Sequence, residues 1–241
     1  MIVATKQPIE LPPDFCPPIS VRGINWNWTR TGDVAIVPCP GGATGLARWT
    51  CLESGRWSSS SSSVLAHPDL SDCKSAAMTN LEARVREEDP DDVVISSLAH
   101  LTSKMTSRLF GGDLESAVAI LRTLSNRLQY MFQTQSDTFY NKKHYVQQVF
   151  QNVLRSASNL LSEENSMIWT DLHPVQRMKT ATALLLALEE NAFLLAEVTN
   201  TPEIIQETAT SISKFYSVIF AFCKIPILCR LDWILISCAV K

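Results

Sequence analysis

Hydrophobic and polar positions change rhythm about a third of the way along this 241-residue chain. Up to residue 74 no helical period is present, and Gly and Pro break up short apolar runs at turn-like intervals. Val34-Ala35-Ile36-Val37 and Ala47-Arg48-Trp49-Thr50 read as strands on either side of Pro38-Cys39-Pro40-Gly41-Gly42. From Ser75 the spacing becomes helical. Ser75 to Arg86 predicts a first helix, and Glu87-Glu88-Asp89-Pro90-Asp91-Asp92 is a polar break suited to a new helix start near residue 92. Helical periodicity then continues to residue 213. Asp113 reads as an N-cap, followed by Leu114, Ala117, Val118, Leu121, Leu128 and Met131 on one face. Val146, Val149, Phe150, Val153, Leu154, Ala157, Leu160 and Leu161 form a second stripe. A third long helix is expected from Pro174 through Val198. Because it is apolar most of the way round, a central place in the bundle is expected for it. Short connections favour antiparallel neighbours. The expected fold class is therefore mainly α, an antiparallel helical bundle preceded by a small β module.

The cysteines refine the first third. Cys16, Cys39, Cys51 and Cys73 fall there, and the other three, Cys223, Cys229 and Cys238, crowd the C-terminus. Four cysteines in a short Pro-, Gly- and Ser-rich segment point to two disulfides, since so short a segment buries too little apolar surface alone. Their pairing is open among three connectivities. Zinc ligands usually come in close pairs, and the gaps of 22, 11 and 21 residues do not supply them. No metal and no cofactor are expected. Disulfides imply an oxidising, extracytoplasmic compartment, yet Met1 to Pro18 holds no apolar signal core. The start is accordingly expected to be that of a fragment or of a transcript lacking its first exons.

Charge and motifs exclude more than they assign. A net charge of −3 offers no electrostatic footprint for nucleic acid. His67, His100, His144 and His173 are scattered without ligand spacing, and Glu189-Glu190 point about 100° apart on a helix. Phosphate-binding glycine loops are missing. No catalytic residue is nominated; an enzyme reading would need two histidines close to a carboxylate. Asn27-Trp28-Thr29 is an N-glycosylation acceptor, which places Asn27 in a surface loop. The serine run 58–63 reads as a flexible insertion.

Several of these residues fall into a known pattern. Pro38-Cys39-Pro40, Gly45-Leu46-Ala47, the run from Cys51 to Gly55 and Trp57, and the run from Pro68 to Cys73 together resemble the hormone-receptor motif domain of secretin-type and adhesion-type G-protein-coupled receptors. Downstream, Gly111-Gly112-Asp113 with the residues to Val118, and the run from Ala187 to Ala196, resemble the helical first half of the GAIN domain of latrophilins. The resemblance implies a hormone-receptor domain over 14–74, a GAIN subdomain A-like domain over 75–213, and an apolar tail over 214–241 outside the family pattern. It also implies the pairings Cys16–Cys51 and Cys39–Cys73. Trp26, Trp49 and Trp57 are expected to pack around these bridges. Trp26 and Trp28 are the candidates for an exposed interaction surface. His100-Leu101-Thr102 echoes the family's cleavage site without its flanking cysteine/tryptophan cluster, so self-cleavage is not expected.

The tail is apolar but interrupted. Thirteen Phe, Leu, Ile or Val residues between 215 and 240 favour membrane insertion by about 4–8 kcal/mol, whereas Lys224, Arg230 and Asp232 oppose it by about 7–10 kcal/mol. The expected attachment to a membrane is thus marginal through this segment. A spliced-in or intron-derived terminus is the preferred reading of it. What the resemblance implies overall is the extracellular part of a latrophilin-like receptor, recognising a protein or peptide ligand and signalling as part of the full-length molecule. The second reading is a secreted decoy that binds the same ligand without signalling.

Overall fold

The computed structural model describes residues 14–58, 67–103, 109–134 and 142–198. The serine run beyond Ser58, the segment 199–213 and the apolar tail lie outside these residues. Six short strands are followed by six α-helices. The strands β1 (Phe15–Cys16), β2 (Ile19–Val21), β3 (Ile24–Trp26), β4 (Thr29–Arg30), β5 (Val34–Pro38) and β6 (Leu46–Thr50) make three two-stranded antiparallel sheets. β1 pairs with β4, β2 with β3, and β5 with β6. Of these, β5 and β6 cover the expected strands and extend each by one residue.

Two disulfides, Cys16–Cys51 and Cys39–Cys73, fix this module. They close loops of 35 and 34 residues, and such bridges typically contribute about 2–4 kcal/mol each. Between them lie three buried tryptophans. Trp26 meets Trp49 edge-on at 5.2 Å, and Trp49 stacks on Trp57 at 4.7 Å. Indole N–H groups usually find partners when buried; Trp49 donates to the Ser58 carbonyl and Trp57 to the Pro17 carbonyl, each at 2.8 Å, whereas the Trp26 N–H has no partner among the described residues. The expected packing of the tryptophans with the bridges is what forms this small core.

The helical domain is an antiparallel bundle of α1 (Ala76–Arg86), α2 (Asp91–Leu101), α3 (Gly111–Thr134), α4 (Lys142–Leu160), the short α5 (Ser166–Thr170) and α6 (Pro174–Val198). α6 packs on α3 and α4, α4 also on α2, and α2 on α1. The α4 stripe is buried as its spacing predicts from Val146 through Leu160, but Leu161 is exposed because the helix ends one residue before it. α6 departs from expectation. Its inner residues Leu184, Ala187, Leu188 and Leu195 are buried, while Val175, Met178, Leu185 and Phe193 are exposed, so it is not enclosed on all sides. The more deeply held long helix is α3, buried at Leu114, Ala117, Leu121, Leu124 and Leu128.

Polar side chains tie the helix ends together. Arg127 on α3 donates to the Val85 carbonyl at 2.6 Å and to Asp91 at 3.3 Å, bridging the end of α1 and the start of α2. Asn191 on α6 donates to Ser125 Oγ on α3 at 2.5 Å in the bundle interior. Truncating a fully buried leucine between these helices removes contacts the backbone cannot replace. Leu121→Ala is expected to destabilise the chain by about 2–5 kcal/mol, read as a lower denaturation midpoint with an unchanged slope against urea.

Candidate functional site

Two features of the strand module bear on function: the joint that fixes it to the helices, and the surface it leaves exposed. The joint begins at the β2–β3 hairpin. Its two loop residues, Arg22 and Gly23, have φ of 57° and 78°, the sign that a two-residue hairpin turn of matching twist requires. Glycine reaches this region freely, but arginine does so at a cost of about 1–2 kcal/mol. The strained tip carries the Arg22 guanidinium onto the buried Asp171 carboxylate. Nε donates to Oδ1 at 2.9 Å and Nη2 to Oδ2 at 2.5 Å. Nη2 also donates to the Leu109 carbonyl at 2.8 Å, and the guanidinium lies 5.5 Å from the centre of the Phe110 ring.

Asp171 gathers donors from other directions as well. Its side chain is fully buried between α5 and α6, and Oδ2 accepts the Gly111 N–H, the first of α3, at 3.0 Å. An anion at a helix N-terminus is favoured by the aligned peptide dipoles. The Asp171 main-chain carbonyl accepts the Leu70 N–H at 3.1 Å. His67 lies with Nδ1 3.9 Å from Oδ1 and with Nε2 3.3 Å from Thr170 Oγ1. Burial pushes the Asp171 carboxyl above the ordinary aspartate range, while Arg22, His67 and the Gly111 N–H pull it back down.

A second aspartate completes the joint and corrects one expectation. α3 starts at Gly111, two residues before the anticipated N-cap, so Asp113 sits inside the first turn. From there Oδ2 reaches back to accept the Phe110 N–H at 2.9 Å, the role a capping box gives its third helical residue. Oδ1 accepts both the N–H and the hydroxyl of Ser75, which caps α1. Gly112 is needed because a Cβ there would stand 2.5 Å from the Cys73 carbonyl oxygen and 2.8 Å from that of Ser71. Phe110 itself is buried in the tryptophan core of the strand module. Of this joint, neither Arg22 nor Asp171 is nominated by the sequence. Arg22 and Asp171 are 149 residues apart, and no local pattern links them.

The exposed surface divides in two. β5 and β6 alternate, so Val34, Ile36 and Pro38 face outward opposite Thr50, Arg48 and Leu46. Val34, Ile36 and Leu46 are 47%, 56% and 41% exposed. The other feature is the two-residue link between β3 and β4, where Asn27 is exposed and Trp28 is 45% exposed. Trp26, paired with Trp28 as a candidate surface residue, is 1% exposed and belongs to the core. The two diverge because inward-outward alternation holds from Ile24 to Asn27 and then breaks where β3 ends. The β5–β6 face has no signal in the sequence, since β5 is apolar at Val34, Ala35, Ile36 and Val37 alike and only the fold decides which of them face outward.

Among the described residues no group of three or more His, Cys, Asp or Glu side chains could hold a metal ion. His67 lies beside the Asp171 carboxylate, whereas His100 is placed on α2, His144 on α4 and His173 just before α6. Cys16, Cys39, Cys51 and Cys73 are all spent in disulfides. No helix among the described residues is long and apolar enough to cross a membrane.

The chain matches two family models. The hormone receptor domain covers residues 13–76, and a GAIN model described as AGRL2-4 GAIN subdomain A covers residues 75–196. Latrophilin Cirl of Drosophila pseudoobscura pseudoobscura is 32% identical over 233 residues, spanning 76% of this chain and 14% of that protein. Adhesion G protein-coupled receptor L1 of Mus musculus and of Homo sapiens is 30% identical over 200 residues, spanning 78% of this chain and 13% of each relative. The chain thus corresponds to a small part of these relatives.

The joint yields a prediction with a defined sign. Arg22→Gly relieves the strained tip and removes the guanidinium, leaving the Asp171 carboxylate buried without its main partner. Losing the partner costs about 3–5 kcal/mol and the relieved tip returns about 1–2, so a net loss of about 1–4 kcal/mol is expected at neutral pH. The group's folded pKa, already raised, moves further up. Protonation therefore favours the folded state, and the deficit against the unsubstituted chain shrinks as pH falls through that value. Urea titrations of both proteins at neutral pH and at about pH 5 check this; a deficit that grows toward acid would contradict it.

Proposed function

Because the chain belongs to the latrophilin family of adhesion G-protein-coupled receptors, we propose that it serves in the extracellular region of such a receptor, on the outer side of the plasma membrane. The strand module over 14–74 acts as the recognition surface for a protein or peptide ligand. The helical domain, reckoned over 75–213, is the scaffold that carries the module, with 214–241 a tail outside the family pattern. The action is binding and transfer of force or conformation to the rest of the receptor, with no bond chemistry.

The observation that carries this reading is the apolar outer face of β5 and β6, held on a disulfide-fixed frame. Val34, Ile36 and Leu46 lie exposed on adjacent strands whose inner residues, Ala47 and Trp49, are locked into the core. Large side chains left in water on so rigid a frame are what a binding surface presents. The buried Arg22–Asp171 joint supports the second half of the reading, because it couples that surface to α3 and α6.

Two measurements test it on the chain secreted behind an added signal sequence. Non-reducing peptide mapping is expected to recover Cys16–Cys51 and Cys39–Cys73, and free thiols there would sink the extracellular assignment. Screening against a panel of recombinant cell-surface and secreted ectodomains is expected to find a ligand whose Kd weakens at least about tenfold for Ile36→Asp, equivalent to about 1.4 kcal/mol. The melting temperature should stay unchanged, since Ile36 is exposed. Binding indifferent to both Ile36→Asp and Leu46→Asp would remove the β5–β6 face from the proposal.

A further inference from the structure

Besides the single side chains Phe15, Ile19 and Leu52, the strand module exposes the apolar β5–β6 face and the Trp28 ring, and the ring sits within a modification signal. Asn27 lies after the last residue of β3 and Thr29 is the first residue of β4, so Asn27 and Trp28 form the two-residue link between two different sheets. Inward-outward alternation would bury residue 28, because Ile24 and Trp26 point inward and Asn25 and Asn27 outward. The link interrupts that order, and both Asn27 and Trp28 face solvent. The Asn27 carboxamide enters no hydrogen bond among the described residues; only its main-chain carbonyl is engaged, accepting the Thr29 hydroxyl at 3.1 Å. The backbone here is anchored, since Thr29 pairs across the sheet with Cys16, which is bridged to Cys51. A group attached to Asn27 would therefore sit one residue along the chain from the half-exposed indole.

We propose that Asn27 carries an N-linked oligosaccharide whose first sugar lies over Trp28, so that this link is withdrawn from protein contact and the β5–β6 face remains as the recognition surface. The proposal rests on the extracellular reading given above, since only a chain passing through the secretory pathway meets the donor. The transfer joins Asn27 Nδ2 to the anomeric carbon of an N-acetylglucosamine presented on a polyprenyl diphosphate oligosaccharide. The bond from that carbon to the diphosphate breaks, the lipid diphosphate leaves with the electron pair, and one amide proton is lost. An attached sugar is bulky and hydrophilic on its outer side. Its ring C–H groups suit the electron-rich face of an indole. A half-exposed tryptophan that would otherwise be an adhesive spot is thereby covered.

The full chain secreted from animal cells behind an added signal sequence tests both halves. Peptide mapping is expected to find the Asn27 peptide carrying a glycan that N-glycosidase removes, converting Asn27 to aspartate, and Asn27→Gln is expected to lack it. An unmodified Asn27 in a sample whose Cys16–Cys51 and Cys39–Cys73 bridges are closed would overturn the proposal while leaving the extracellular reading intact. If those cysteines are free, that reading has failed and the proposal falls with it. For the second half, acrylamide quenching of tryptophan fluorescence is compared before and after enzymatic removal of the sugar from the folded chain. Quenching is expected to rise in the unsubstituted protein and to stay constant in Trp28→Phe. Equal quenching before and after removal in the unsubstituted protein would show the ring uncovered and overturn the shielding.

Discussion

A carboxylate taken wholly out of water holds the two halves of this molecule in one arrangement. Asp171 has no exposed side-chain surface, and an ionised group so placed requires strong donors, because desolvation costs several kcal/mol. The donors come from separate parts of the chain. Arg22 arrives from a hairpin tip of the strand module, and the Gly111 N–H from the start of α3. Leu70, in the segment leading to the second disulfide, donates to the same residue's main-chain carbonyl. Asp113 repeats the pattern within the first turn of α3, accepting from Ser75 and Phe110. The positive φ of Arg22 fits this account, since unfavourable backbone geometry persists where surrounding contacts over-determine it.

Given that joint, the two modules share more than a covalent link. Phe110 belongs to the helix-side segment yet is buried with Trp26, Trp49 and Trp57. Gly112 lets α3 approach the Cys73 carbonyl at a distance no side chain would permit. The disulfides act at a different level. They cut the freedom of the unfolded strand module, whose three two-stranded sheets could not stand alone. The internal frame of the module is covalent, and its orientation on the helices is electrostatic and steric.

Residues with a local period were legible from the sequence. The α4 stripe and the α3 face were read from spacing alone, and β5 and β6 from short runs bounded by Gly and Pro. The disulfide pairing came through the family resemblance, as spacing leaves three connectivities. Where interruptions govern, the reading slipped. Asp113 looked like a cap because it follows two glycines, but the helix takes those glycines in and uses the aspartate from within its first turn. Trp26 stood both among the tryptophans expected at the bridges and beside Trp28 as a surface candidate, and it is the core residue while Trp28, past the end of β3, is the surface one. α6 looked enclosed because it is apolar on every side, although composition does not say which sides find a partner. Asp171 was invisible, since its meaning depends on Arg22, far away in the chain.

The choice of a charged joint over an apolar one has a physical consequence for a module proposed to transmit force. An apolar contact such as Phe110 in the tryptophan core is non-directional, and a small rotation of one body on the other changes it gradually. A buried ion pair behaves differently. Replacing both partners by apolar groups is often close to neutral, so its net contribution to stability is small, yet removing one partner costs about 3–5 kcal/mol. Any tilt that withdrew Arg22 from Asp171 would strand the carboxylate in that second condition. The penalty is therefore steep in orientation while the net gain is modest. Load applied to the β5–β6 face would thus be carried into α3 and α6 by the joint with little loss to hinge motion, up to the point where the pair separates. Below that point the strand module and the helical bundle behave as a single lever.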